Sequence, residues 1–318
     1  MFLNNFFMFL IYLFLLFAGD FSQANSISVS YLEEIGLHEL SGLSSSRVNR
    51  NIVWAHNDSG NSAELFALDE NGHLLLLVSL PVEFFDAEDI SISNCPESLG
   101  FLSENSCIWI ADTGDNRHIR NETSLWVFEE PLITREKKTI EIDREDIIKI
   151  NLKFNKEYSS NLEDQILNCP NIEALTFESS GNRFWLFEKT DYETSRIWEG
   201  NIEEVNAFKE IFLQEVAGVN VSAISEGEAC QRELRITAAD LNEDDNKLLI
   251  RTYSNVFLFD LVDLSMMSNI SSASFRKLPL NIEEPQGEAI TFVDQNSIVT
   301  ASEKNNGYQP GLSYWELL

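Results

Sequence analysis

Three glutamates stand in near-identical settings. Glu88 lies in Asp86-Ala87-Glu88-Asp89-Ile90-Ser91-Ile92, Glu173 in Asn171-Ile172-Glu173-Ala174-Leu175-Thr176-Phe177, and Glu288 in Gln286-Gly287-Glu288-Ala289-Ile290-Thr291-Phe292. Two degenerate copies put a hydroxyl in the same frame, Ser41 in Leu40-Ser41-Gly42-Leu43-Ser44 and Thr237 in Ile236-Thr237-Ala238-Ala239-Asp240-Leu241. Carboxylates gathered from remote parts of a chain repel one another unless a cation sits among them. Carboxylate, hydroxyl and backbone oxygens suit Ca²⁺, which takes about six to eight ligands in loose geometry. Ser41, Glu88, Glu173, Thr237 and Glu288 are therefore the candidate metal ligands and Ca²⁺ the candidate ion. A channel of hydrated carboxylates is the plain alternative.

The residues after each copy also recur. A polar turn leads to a second apolar run that ends in charge: Glu188-Lys189, Arg251, and Glu303-Lys304. The corresponding runs of the first two copies end in His56-Asn57-Asp58-Ser59-Gly60 and Asp112-Thr113-Gly114-Asp115-Asn116-Arg117. If all these ends share a face with the five lead residues, His56, Arg117, Lys189, Arg251 and Lys304 are candidates to hold phosphate or carboxylate oxygens. Asp58, Asp112 and Asp115 are candidates to orient an attacking water or to bind metal. Turn chemistry accounts for the glycines equally well, and ion pairs between neighbours, such as Lys189 with Glu303, would account for the bases.

The elements that must position these groups are short strands with period-two patterning, separated by polar turns. A copy recurring several times along one chain is the signature of a repeat architecture, and four short strands per copy is the grammar of a β-propeller blade. The first blade takes Leu40–Ser45, Ile52–Ala55, Glu64–Leu68 and Leu74–Leu80. The second takes Glu88–Ser93, Cys107–Ala111, Ser124–Phe128 and an outer strand from Thr139–Phe154. The third takes Glu173–Phe177, Phe184–Glu188, Arg196–Gly200 and Phe208–Glu215, and the fourth Ile236–Leu241, Lys247–Thr252, Val256–Asp260 and Ser274–Leu280. The fifth has Glu288–Phe292, Ser297–Ser302 and Leu312–Glu316 but no outer strand, which Ile27–Leu37 is expected to supply, closing the ring. The fold class is all-β, a five-bladed propeller. Six blades stay open if residues 131–160 hold more than one strand.

Phe6 to Ala18 is an uncharged apolar run, the length of a signal-peptide core and short for a membrane span, and Ser22-Gln23-Ala24 offers small residues for cleavage. Residues 1–24 are expected to be a signal peptide and 25–318 one domain, secreted or lumenal, with no membrane contact after cleavage. The 52 acids against 22 bases, a formal net charge of −30, argue against nucleic acid and anionic membranes as partners. Four cysteines in a secreted chain imply disulfides, expected as Cys95–Cys107 and Cys169–Cys230. Sequons at Asn57, Asn121, Asn220 and Asn269 fit a glycoprotein of the same compartment.

The lead residues Ser41, Glu88, Glu173, Thr237 and Glu288, with the acidic turn Trp54-Ala55-His56-Asn57-Asp58-Ser59-Gly60, resemble the calcium-activated nucleotidase (apyrase) propellers. That resemblance implies an axial Ca²⁺, hydrolysis of a phosphate-bearing small molecule and a catalytic Asp58, with Arg251 where that family carries a base. Glu188-Lys189 departs from it, standing where paired arginines would be. His56–Gly60, Asp112–Arg117 and Pro285-Gln286-Gly287-Glu288-Ala289-Ile290 also resemble secreted bacterial propellers of unassigned activity. Two functions are consistent with this: a Ca²⁺-dependent phosphohydrolase, or a non-enzymatic binding propeller in which Ca²⁺ holds the ring. Fold alone does not choose between them.

Overall fold

The computed structural model describes residues 21–154, 169–224, 234–244, 246–280, 284, 286–302 and 311–317, with side chains from Leu32 onward. Among these the chain is almost entirely β. A first strand β1 (Phe21–Ser28) is followed by β2 (Leu40–Ser45), β3 (Ile52–Asn57), β4 (Glu64–Asp69) and β5 (Leu74–Ser79). Next come β6 (Ala87–Asn94), β7 (Ser106–Asp112), β8 (Thr123–Glu129), β9 (Thr139–Glu141) and β10 (Ile148–Phe154). The third group is β11 (Ile172–Phe177), β12 (Arg183–Glu188), β13 (Thr194–Asn201) and β14 (Glu210–Asn220). The fourth is β15 (Ile236–Asn242), β16 (Lys247–Thr252), β17 (Val256–Asp260) and β18 (Ser274–Lys277), and the last β19 (Gly287–Asp294), β20 (Ser297–Ser302) and β21 (Gly311–Leu317). Within each group successive strands pair antiparallel, except at β9, which pairs with neither β8 nor β10.

The first strands of the groups form a closed circuit: β2 packs on β6, β6 on β11, β11 on β15, β15 on β19, and β19 back on β2. The arrangement is propeller-like. The apolar core divides accordingly into five clusters, each shared by two successive groups. Indole rings anchor three of the second strands, with Trp54, Trp109 and Trp185 fully buried. Each contributes about 1.5–3 kcal/mol of apolar burial. Their ring N–H groups are satisfied by Glu130, Ser93 and Glu199 at 2.8–2.9 Å, as a buried indole requires.

Two features differ from expectation. The strand that completes the last group is β1, paired antiparallel with β21 from Phe21↔Leu317 to Ser28↔Gly311, not Ile27–Leu37. The chain leaves the sheet at Val29 to make a short helix, α1 (Val29–Glu34). This helix ends at Gly36, whose φ of +96° is the left-handed conformation that suits glycine. Leu32 and Leu37 are buried against the core between the first and last groups. The expected cut after Ala24 falls inside β1, at the bulge between Gln23 and Asn25. Second, the region 139–154 gives two outer strands. β9 pairs in parallel with β5, whereas β10 pairs with β8 and, in parallel, with β14. The second and third groups thus merge into one eight-stranded sheet, which covers edges that would otherwise be open to pairing.

The Cys95–Cys107 disulfide is present, with a Cα–Cα distance of 4.9 Å, across the β6–β7 connection. Cys169 is buried, and its expected partner Cys230 lies outside the described residues.

Candidate metal centre

In all five inner strands the register slips at the lead residue. The slips fall between Leu40 and Gly42, Ala87 and Asp89, Ile172 and Ala174, Ile236 and Ala238, and Gly287 and Ala289. Ser41, Glu88, Glu173, Thr237 and Glu288 are each the extra residue of a β-bulge, a device that re-aims a side chain and is frequent beside active sites. All five are buried. The equivalence inferred from the repeat is therefore real in three dimensions.

The lead hydroxyls tie neighbouring inner strands. Ser41 Oγ donates to the Glu88 carbonyl at 2.8 Å and Thr237 Oγ1 to the Gly287 carbonyl at 2.7 Å. Among the three glutamates stands an internal cation. Lys189 Nζ is 3.0 Å from Glu173 Oε1 and 5.1 Å from the centre of the Tyr253 ring. Burial alone would depress its pKa. The charges of Glu173 and Glu288, with Tyr253 and Glu88, more than reverse this and hold it above the ordinary lysine value. Much of the positive charge that convergence of Glu173 and Glu288 demands is thus already in the chain.

A second acidic group remains. Carboxylate oxygens of Asp58, Asp86 and Glu88 lie within 4.8 Å of one another. Burial raises the Asp58 pKa to about 6, with Asp86 and Glu173 adding repulsion against the Ser59 N–H. Asp86 is raised by burial and by Glu173, and Glu88 is raised well above its ordinary value by burial, Glu173 and Asp58. Glu88 is only 3% exposed, and its Oε1 has no hydrogen-bond partner among the described residues. The site is built to admit these oxygens: a Cβ at Gly114 would stand 1.9 Å from Glu88 Oε1 and 2.5 Å from Asp86 Oδ2. Three mutually facing carboxylates, one with a buried unpartnered oxygen, fit a hard dication.

The other expected site residues fall around this trio in supporting positions. Asp112 accepts the N–H groups of Phe85 and Asp86 at 3.2 and 3.0 Å and pairs with Arg120 at 2.9 Å, so it positions Asp86. Asp115 accepts the N–H groups of Ile119 and Arg120 at 2.8 and 3.0 Å and folds the loop back on itself. His56 is buried, its Nδ1 2.8 Å from the Asn57 carbonyl, and burial lowers its pKa to about 4, so the ring is neutral. Arg251 is buried against Glu284 and the Ala289 carbonyl. Arg117 is exposed on the rim. Lys304 lies outside the described residues. Asn57 cannot carry a glycan in this fold: its amide is buried, donating to the Gly36 carbonyl at 3.0 Å and accepting from the His38 and Glu39 N–H groups. The sequons at Asn121, Asn220 and Asn269 are exposed.

Sequence reasoning passed over Asp86 and Gly114 as site residues. The signal for Asp86 was the frame itself, since an oxygen-bearing side chain precedes each lead glutamate by two positions in Asp86, Asn171 and Gln286.

No protein-family profile matches this chain, and no curated protein matches it in sequence. Among solved structures it is similar to the PQQ-bound aldose sugar dehydrogenase of Streptomyces coelicolor, at 10% identity and a TM-score of 0.46, covering 93% of this chain and 98% of that one. It is also similar to a putative 6-phosphogluconolactonase of Bacteroides uniformis, at 11% identity and a TM-score of 0.39, covering 86% of this chain and 66% of that one. The resemblance to the nucleotidase type rests on the residues alone.

Proposed function

We propose that the chain is a secreted five-bladed β-propeller that binds Ca²⁺ on one face through Asp58, Asp86 and Glu88 and acts as a calcium-dependent binding protein. The five inter-group core clusters support the blade count, and the disulfide supports an oxidising compartment. The observation that carries the metal assignment is the buried, unpartnered Oε1 of Glu88 facing two further carboxylates. A bound dication neutralises the cluster and offers coordination positions to ligand oxygens. Ca²⁺ is preferred to Mg²⁺, which demands stricter octahedral geometry.

The test is thermal. Millimolar Ca²⁺ is expected to raise Tm, and chelator to lower it, with Mg²⁺ weaker; saturation at a hundred times Kd corresponds to about 2.7 kcal/mol. Glu88→Gln and Asp86→Asn should abolish the response, while Glu136→Gln, an exposed control, should keep it. Wild-type protein with no calcium shift would remove the site.

The Ca²⁺-dependent phosphohydrolase is the second reading. It is favoured by an open cleft of about 380 Å³ at Asp86, with Arg117 on its wall. Weighing against it, Lys189 and Arg251 are committed to Glu173 and Glu284, so they are poorly placed to grip a transferring phosphoryl group. Calcium-dependent phosphate release from a panel of nucleotides and phytate would establish it.

A further inference from the structure

The cleft beside Asp86 does not end at Asn116. That residue also lines a second cleft, of about 250 Å³, which runs past Glu188 and Asp191 to Tyr192. The two adjoin at Asn116, and Asp86 of the acidic trio lines the first, so a ligand long enough to occupy both would run along one groove. Phe85, 58% exposed, and Ile119, 59% exposed, line the first cleft, and Tyr192, 72% exposed, lines the second. Phe85 is held in place from behind. The Arg120 guanidinium lies 4.7 Å from its ring centre. Arg120 is itself fixed by the Asp112 carboxylate and by the carbonyls of Asp112, Gly114 and Glu122 at 2.9–3.0 Å. The ring is therefore a pre-set platform whose ordering cost is met before any ligand arrives.

Between the platforms the polar groups are present as pairs. Arg196 grips Glu188 through two contacts of 2.7 Å, and Arg235 grips Asp191 at 2.6 and 2.8 Å. The Asp191 side chain is nevertheless 61% exposed. Each pair cancels its charge while leaving carboxylate oxygens and N–H groups on the wall, so it offers acceptors and donors together. With Lys189 paired to Glu173, the charges left on the groove are the acidic trio, which a bound dication offsets in part, and Arg117 on the wall of the first cleft. Strongly anionic ligands meet no cluster of uncommitted bases among the described residues here. An extended peptide would favour an open strand edge, and this groove is built from loop and strand-end side chains instead.

We propose that this groove binds an uncharged polyhydroxylated chain, an oligosaccharide, whose ring faces stack on Phe85 and Tyr192 and whose hydroxyls meet the paired side chains between them. The proposal rests on the calcium site above only in that cation-bound protein presents the neutral groove. Hydroxyl groups both donate and accept, which matches walls that do the same, and the apolar face of a sugar ring matches an exposed aromatic.

The test is titration calorimetry of calcium-loaded protein with short cello-, malto-, laminari- and chito-oligosaccharides, with oligolysine and polygalacturonate as charged controls. Binding of at least one neutral oligosaccharide is expected. Phe85→Ala and Tyr192→Ala, both at exposed positions, should each weaken it about tenfold, and Tyr192→Ala should leave Tm and the calcium-induced Tm shift at wild-type values. Absence of binding by every neutral oligosaccharide overturns the proposal, as does preferential binding of a charged control or unchanged affinity in both variants. The parallel Tm measurement separates the two claims. Loss of the calcium shift with sugar binding intact removes the metal site alone, whereas an intact shift without sugar binding removes the groove alone.

Discussion

Two sets of buried and half-buried acids in this molecule meet opposite fates. Asp89 and Asp240 lie on the inner strands and spend their oxygens on neighbouring strands. Asp89 accepts the N–H groups of Ile90 and, across the gap to β11, Leu175, each at 2.8 Å, with the Ala239 amide of β15 acting on it as well. Asp240 accepts from the Phe292 and Leu241 amides and the Thr291 hydroxyl at 2.8–3.0 Å. Thr291 Oγ1 in turn accepts the Ser45 N–H at 3.2 Å. These contacts link β6 to β11 and β15, β15 to β19, and β19 to β2. The trio at the face has the same chemistry but faces itself. A buried carboxylate surrounded by backbone donors is a structural tie, and one surrounded by carboxylates leaves a charge to be balanced.

The largest effect that can break this comparison is at Asp89. Asp89→Ala strips two buried amides of their acceptor and should cost about 3–5 kcal/mol in urea denaturation, without altering the calcium-induced Tm shift. A cost below about 1 kcal/mol would show that it ties nothing.

Asp240 sharpens the comparison through pH. Burial raises its pKa from 3.8 to about 6, so the folded state holds the proton that the unfolded chain has lost. Its contribution is undiminished below pH 3.8, declines as pH rises toward 6, and is constant above. The shift of about 2 units corresponds to about 3 kcal/mol. Asp240→Asn should flatten the pH dependence of stability across pH 4–6, measured by denaturation at each pH. An unchanged profile would assign that dependence to other acids.

The third effect is at Lys189. Lys189→Met removes the ammonium from among the glutamates and should lower stability by about 3 kcal/mol at neutral pH, the low end for breaking a buried pair. Added Ca²⁺ should then restore more Tm than it adds to wild type, because an ion can take over the vacated charge. Equal calcium responses in the two proteins would separate the three lead glutamates from the acidic trio as the site of any calcium effect.

The chain by itself determined the repeat, the strand grammar and the five equivalent lead positions. Those are local properties. Period-two patterning and turn residues act over a few positions, and the bulge that carries each lead residue is written within its own copy. The Cys95–Cys107 bridge was legible for the same reason, joining positions that one hairpin brings together. Tertiary structure decided what crosses between copies. The side chain that pairs with Glu173 is Lys189, just past the end of β12. Asp58 joins Asp86 and Glu88 only because the first two groups pack side by side. β10 finds β14, and β1 rather than Ile27–Leu37 finds β21, through pairings that no local pattern specifies. Hydrogen-bonding edges are interchangeable in sequence. Which edge meets which, and which charge stands nearest a buried carboxylate, is fixed only when the ring closes.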